Sequence, residues 1–203
     1  MKTKLLFLTI GIVWALSGTC QSAETWTEQD RNYLLQHLIA SRDSLIAETK
    51  NLTEKQWNFK ESPDRWSIAQ VVEHIAIWEL LYQREISLAI AGGLETAPPA
   101  AQPTDSSVLA FLMEEHPHNT TEYTKPFTFS VPMGLSGSNS LLWLLKMREE
   151  SINFLRSEAQ DLRAFRLKPG RKNVHQTYIS TFGHADRHLR QIRKIKAHPN
   201  YPK

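Results

Sequence analysis

A chain of 203 residues, 41% apolar and 22% charged, is long enough to bury a real core and too apolar for a disordered or collagen-like polymer. Its formal charge of +3 falls to +1 once Lys2 and Lys4 are set aside with the amino-terminal segment they belong to. What remains is not the dense Lys/Arg field that a nucleic-acid binder needs to neutralise several phosphates, so no nucleic-acid partner is expected.

The amino terminus reads as an address. Met1-Lys2-Thr3-Lys4 is a short basic start, Leu5 to Leu16 an apolar run, and Ser17 to Ala23 a small, mostly polar stretch. That is the pattern of a secretory signal peptide over residues 1–23, leaving 24–203 as one domain. The run is too short to span a bilayer comfortably as a mature helix, so no stable membrane span is expected in the mature chain. Gln21 departs from the small-x-small pattern before a cut after Ala23, and Ser17-Gly18-Thr19 is an imperfect lead-in to a lipid-modified Cys20. The expectation is an exported protein, periplasmic or extracellular, with lipid anchoring at Cys20 as the lesser alternative. Cys20 is the only cysteine, so a mature chain cut after Ala23 has neither a disulfide nor a cysteine nucleophile.

From Thr27 to about Leu52 the residues Tyr33, Leu34, Leu38, Leu45 and Ile46 recur at three- and four-residue steps, the stripe of an amphipathic helix, with Thr27 and Asp30 as its cap. After Ser62-Pro63-Asp64 a second helix begins near Ser67 and runs to about Ala91, where Gly92-Gly93 stops it. Its inner stripe is Val71, His74, Ile75, Trp78, Leu81 and Tyr82. Pro98, Pro99 and Pro103 mark an extended connection, a shorter helix is expected from Asp105 to Glu115, and 116–138 reads as a loop with a brief strand at Phe127, Phe129 and Val131. A third long helix fits Asn139 to about Ala159, with Leu142, Leu145, Met147, Ile152 and Leu155 as core positions. Lys168-Pro169-Gly170 breaks the chain, and a last helix runs from Asn173 or Gln176 to Ala197, before Pro199. Four apolar stripes must cover one another, which predicts an all-α, up-and-down four-helix bundle with a long irregular connection between its second and third long helices.

The chemistry starts at His184-Ala185-Asp186-Arg187-His188. Four residues of α-helix advance about 400°, so two such imidazoles lie about 40° apart around the axis and about 6 Å apart along it, within reach of one ion. A third nitrogen must come from another helix. His74 is the best placed, among Val71, Ile75 and Trp78 on a buried stripe, whereas His37, His116, His118, His175 and His198 lack such a setting. By spacing alone the pair also fits a chance i,i+4 repeat, and a buried histidine also fits a hydrogen-bonded core residue.

The run from Trp66 to Ile75 (Trp-Ser-Ile-Ala-Gln-Val-Val-Glu-His-Ile) and the later run from His184 to Ile192 (His-Ala-Asp-Arg-His-Leu-Arg-Gln-Ile) resemble the two halves of the DinB-like, or DinB/YfiT-like, metalloenzyme superfamily. The resemblance covers about residues 27–197, and its specificity lies in the two motifs together, in order and at their separation. It implies a four-helix bundle, often dimeric, so that a homodimer is an expectation. It also implies a divalent metal held by His74, His184 and His188. Three neutral nitrogens leave a position open and suit Zn, Ni, Fe or Co about equally.

The implied function is a metal-dependent hydrolase or thiol transferase acting on a small-molecule substrate. Export away from the thiol-rich cytoplasm shifts weight to hydrolysis. The alternative is a non-catalytic exported metal-binding or interaction bundle, which a fourth protein ligand such as His37 or His175 would favour. Gln191, three residues beyond His188, is expected to face a ligand. Glu73 and Asp186 are expected to point elsewhere, with Asp186 and Arg187 solvated or in interhelix pairs. Trp66 and Trp78 either wall the pocket or simply pack. No G-x-S-x-G occurs to suggest a serine nucleophile.

Overall fold

A computed structural model describes residues 25–93, 102–114, 136–166 and 172–203. The expected signal peptide with Cys20, the brief strand at Phe127, Phe129 and Val131, and His116 and His118 lie outside the described residues. The described chain is helical: α1 (Glu28–Thr49), α2 (Glu54–Asn58), α3 (Ile68–Ala91), α4 (Asp105–Met113), α5 (Gly137–Ser157) and α6 (Val174–Lys196). An antiparallel bridge joins Arg166 to Asn173, the N-cap of α6. No helix among the described residues is long and apolar enough to cross a membrane.

Local chemistry sets the helix starts. Thr27 with Asp30, Thr53 with Gln56, Ser67 with Gln70 and Asn173 with Gln176 each form a capping box, in which two backbone N–H groups find side-chain acceptors before the first turn closes. α3 ends at Gly92, and the next residue, Gly93, takes φ +80°, a conformation open to glycine. Gly137 at the start of α5 is required for space: a Cβ there would lie 2.3 Å from the ring of the buried Trp57.

α1, α3, α5 and α6 make a four-helix bundle in which α3 packs on α5 and α6, and α1 packs on the same two, so that α1 and α3 sit across one diagonal. α4 lies on α6, and α2 on α3. Cross-links give the directions. Arg31 on α1 donates to the Leu155 carbonyl of α5 while Arg42 reaches Glu149, so these two helices are antiparallel. Glu79 pairs with Arg148 and Gln83 with Ser151, so α3 and α5 run parallel. Trp26 meets His175 and Glu48 meets Lys196, so α1 and α6 also run parallel. Residues 92–136 separate α3 from α5 in the sequence, and because these two helices run parallel the four long helices do not alternate in direction as the expected up-and-down order requires; the all-α four-helix bundle itself stands.

The inner line of α5 is Leu144, Met147, Arg148, Ser151, Ile152 and Leu155. Leu142, expected in the core, is 65% exposed, because it stands two residues, and therefore about 200°, from Leu144 around the axis. Ile46 on α1 is exposed because it stands one residue, about 100°, around the axis from the buried Leu45.

Candidate metal centre

α3 and α6 face each other with opposite directions, and their contact brings His74 against His184 and His188. The Nε2 atoms of His74 and His184 are 3.2 Å apart, and those of His188 and His184 are 3.1 Å apart. All three residues are buried, and one nitrogen from each lies within 4.8 Å of the others. The three rings meet at tilted or edge-on angles, with centroids 4.5 to 5.0 Å apart, so their nitrogens, not their faces, converge.

That convergence can be tested against a metal. Two nitrogens each about 2.0–2.1 Å from one ion, at bond angles between octahedral and tetrahedral, stand roughly 2.9–3.4 Å apart. The observed spacings fall inside that window. Hydrogen bonding alone serves the arrangement poorly: His188 Nδ1 lies 2.9 Å from the Gln191 Oε1 acceptor, which places the ring's proton there and leaves Nε2 as a lone pair. One proton on His184 Nε2 can serve only one of its two nitrogen neighbours well. A cation accepts all three lone pairs at once.

Aromatic side chains surround the cluster. The Trp66 ring lies 4.8 Å from the His74 ring and 6.5 Å from that of His188. Trp78, one turn beyond His74 on α3, lies 5.4 Å from the His184 ring, and Tyr82, a further turn along, lies 6.2 Å from it. Burial pushes the Tyr82 hydroxyl well above the ordinary phenol range, with the charges of Glu85 and Glu79 adding to it, so Tyr82 stays neutral. Lys172 stands 5.2 Å over the Tyr82 ring and donates to Ser180 Oγ at 2.7 Å.

Gln191, expected near a ligand, touches His188. Asp186 turns away from the three nitrogens: it is half-buried, burial raises its carboxyl, and the charges that offset this come from Arg148, His37, Arg190 and Arg193. Glu73 is buried instead of merely averted. Arg187 donates to the Glu114 carbonyl, and Arg190 to the Met113 carbonyl at 2.9 Å, so two arginines beside the motif cap the end of α4. Neither histidine weighed as a fourth ligand joins the cluster. His37 stacks on Phe182 with centroids 4.6 Å apart, and His175 is tied to Trp26 and Asp105 at the start of α6. No carboxylate belongs to the cluster among the described residues.

Apolar periodicity passes over the buried Arg148–Glu79 ion pair, with nitrogen to oxygen at 2.7 Å and both side chains 1% exposed. The signal was present: each residue stands four positions from a core aliphatic, Glu79 from Ile75 and Arg148 from Leu144 and Ile152.

Comparison with known proteins bears on the fold and the family. No curated protein matches the chain. Among solved structures the chain is similar to YfiT from Bacillus subtilis, described as a probable metal-dependent hydrolase with an unusual four-helix bundle topology. The identity is 16% and the TM-score 0.56, over 88% of this chain and 93% of that one, a likeness of fold. A family model for the DinB superfamily matches residues 37–192, a span that holds all three histidines, and the chain therefore belongs to the DinB superfamily.

Proposed function

We propose that this protein is a metal-dependent hydrolase of a small molecule, with His74, His184 and His188 as the metal ligands. The observation that carries the reading is the approach of three Nε2 atoms, from two helices, to 3.1 and 3.2 Å. YfiT, similar in fold, is itself described as a probable metal-dependent hydrolase. A bound divalent ion with an open position would supply Lewis-acid polarisation and a water acidic enough to attack at neutral pH.

The chain's own residues do the rest. The helical i,i+4 step presents His184 and His188 from one face, and antiparallel packing supplies His74 from the other side. Gln191 orients the His188 ring. Trp66, Trp78 and Tyr82 place apolar surface around the cluster, which suits a substrate with an apolar part and helps to keep bulk water away. We further propose that the protein acts outside the cytoplasm after removal of residues 1–23, a setting poor in the small thiols that a thiol transferase of this superfamily would need.

Elemental analysis of the purified mature protein tests the reading. About one metal per chain is expected in the wild type and almost none in His184→Ala, with ester or amide hydrolysis lost in parallel. Equal metal in both would overturn the ligand assignment. A wild type that holds metal yet hydrolyses no member of a broad ester and amide panel would favour the metal-binding bundle instead.

A further inference from the structure

Resting on the three-histidine reading, we infer that Gln191 is a positioning residue that selects the metal-binding tautomer of His188. His188 Nδ1 and Gln191 Oε1 are 2.9 Å apart, and the two residues are neighbours on one helix face at i,i+3. A neutral imidazole carries one proton. If the amide oxygen faces the ring, Nδ1 donates and Nε2 keeps its lone pair, directed at His184 Nε2 only 3.1 Å away. With the amide reversed, its NH2 group would donate to Nδ1, the ring proton would move to Nε2, and that proton would stand where the ion should be. Only the first arrangement is compatible with three nitrogens converging on a cation.

The identity of the partner also matters. The outer nitrogen of a ligating histidine usually donates to a carboxylate, a backbone carbonyl or water, and a carboxylate pulls the ring toward imidazolate and raises its basicity. A glutamine orients the ring as firmly while withholding that charge. Three neutral nitrogens with an amide behind one of them leave more of the ion's positive charge undiminished for whatever occupies its open position. Gln191 thus sets both the direction in which His188 points and how strongly it donates.

The test uses Zn2+ as the probe, on the purified chain, by competition with a chromophoric chelator. Gln191→Leu, which removes the acceptor, is expected to weaken zinc binding by about 10–100-fold. Gln191→Glu, which keeps an acceptor in place, is expected to bind at least as tightly as the wild type. Long-range nitrogen–proton NMR of the metal-free wild type should show the His188 proton on Nδ1, a readout independent of turnover and of whether the leucine variant is fully folded. A His188 proton on Nε2 in the wild type, or equal zinc affinity in wild type and Gln191→Leu, overturns the role of Gln191 while leaving the metal site standing. A wild type that binds no zinc, or binds it as weakly as His184→Ala does, overturns the three-histidine reading and this inference with it.

Discussion

Asp105 stands at the first turn of α4 with three donors around it. His175 Nε2 is 3.2 Å from its carboxylate, Arg163 donates at 2.8 Å, and Gln176 at 3.0 Å. The indole N–H of Trp26 donates to His175 Nδ1 at 3.1 Å, so the ring's proton belongs on Nε2, facing Asp105. Burial works to raise the Asp105 carboxyl, and hydrogen bonds from His175, Arg163 and Gln176 outweigh it, holding it well below the usual carboxylate range. A carboxyl depressed in the native state contributes stability above its unfolded value of about 3.9, and loses it as pH falls through the lower native value. Asp105→Asn is therefore expected to cost about 1 kcal/mol near pH 7, a modest figure because the side chain is 35% exposed and partly screened. Urea unfolding at pH 7 and in steps below pH ~4 should show the gap between variant and wild type closing in acid; a gap that stays constant would sink the assignment. This cluster was not legible beforehand, because Trp26, Asp105, Arg163 and His175 come from segments with no periodic relation to one another. The meeting of His74, His184 and His188 was legible because helical spacing fixes one pair, a neighbouring aliphatic stripe offers the third, and the resemblance to the DinB-like superfamily implies the set.

At the scale of elements, the stripes told which helices exist more surely than which residues lie deepest. The caps at Thr27, Ser67 and Asn173 follow from residue types alone, whereas α2 has five residues, too few to show a period. The Arg148–Glu79 pair escaped because a stripe is read by its apolar members, and charges standing in it are passed over. Arg148 donates to both oxygens of Glu79, at 2.8 and 2.7 Å, and its third nitrogen reaches Ser41 Oγ and the Leu38 carbonyl at 3.2 Å. A buried ion pair repays its desolvation only when its hydrogen bonds are this complete, and breaking one partner strands the other. Arg148→Met alone is expected to destabilise by about 3–5 kcal/mol, while Arg148→Met with Glu79→Leu should return most of that loss. Guanidinium denaturation of the two singles and the double gives the coupling energy directly. Additive losses would mean that the pair is not acting as a unit.

At the scale of the whole molecule, those charges belong to a polar layer that divides the core. One apolar cluster holds Leu34, Leu38, Ile86, Ile152, Leu155, Ile179 and Phe182; the other holds Leu45, Val71, Ile75, Leu144, Ala185, Leu189 and Ile192. Along each long helix a polar residue stands between them: Ser41 on α1, Glu79 on α3, Arg148 and Ser151 on α5, and His184 on α6. His184 stands in this layer, and His74 and His188 extend the histidine cluster from it into the second apolar cluster, beside Val71, Ile75, Ala185 and Leu189. An ion bound there would tie α3 to α6, and since an unfolded chain offers no preformed site, binding energy becomes folding energy. Zinc at 100 times its Kd adds about 2.7 kcal/mol, and at roughly 2–4 °C per kcal/mol for a chain of this size the midpoint should rise by about 5–10 °C. Thermal unfolding of the chelator-treated protein with and without added Zn2+ measures this, and His184→Ala should show almost no rise. If instead the metal-free protein melts where the zinc-loaded one does, while zinc is shown to be bound, then the ion does not bridge the two helices. The bound zinc would then have to be held by ligands that the unfolded chain presents equally well.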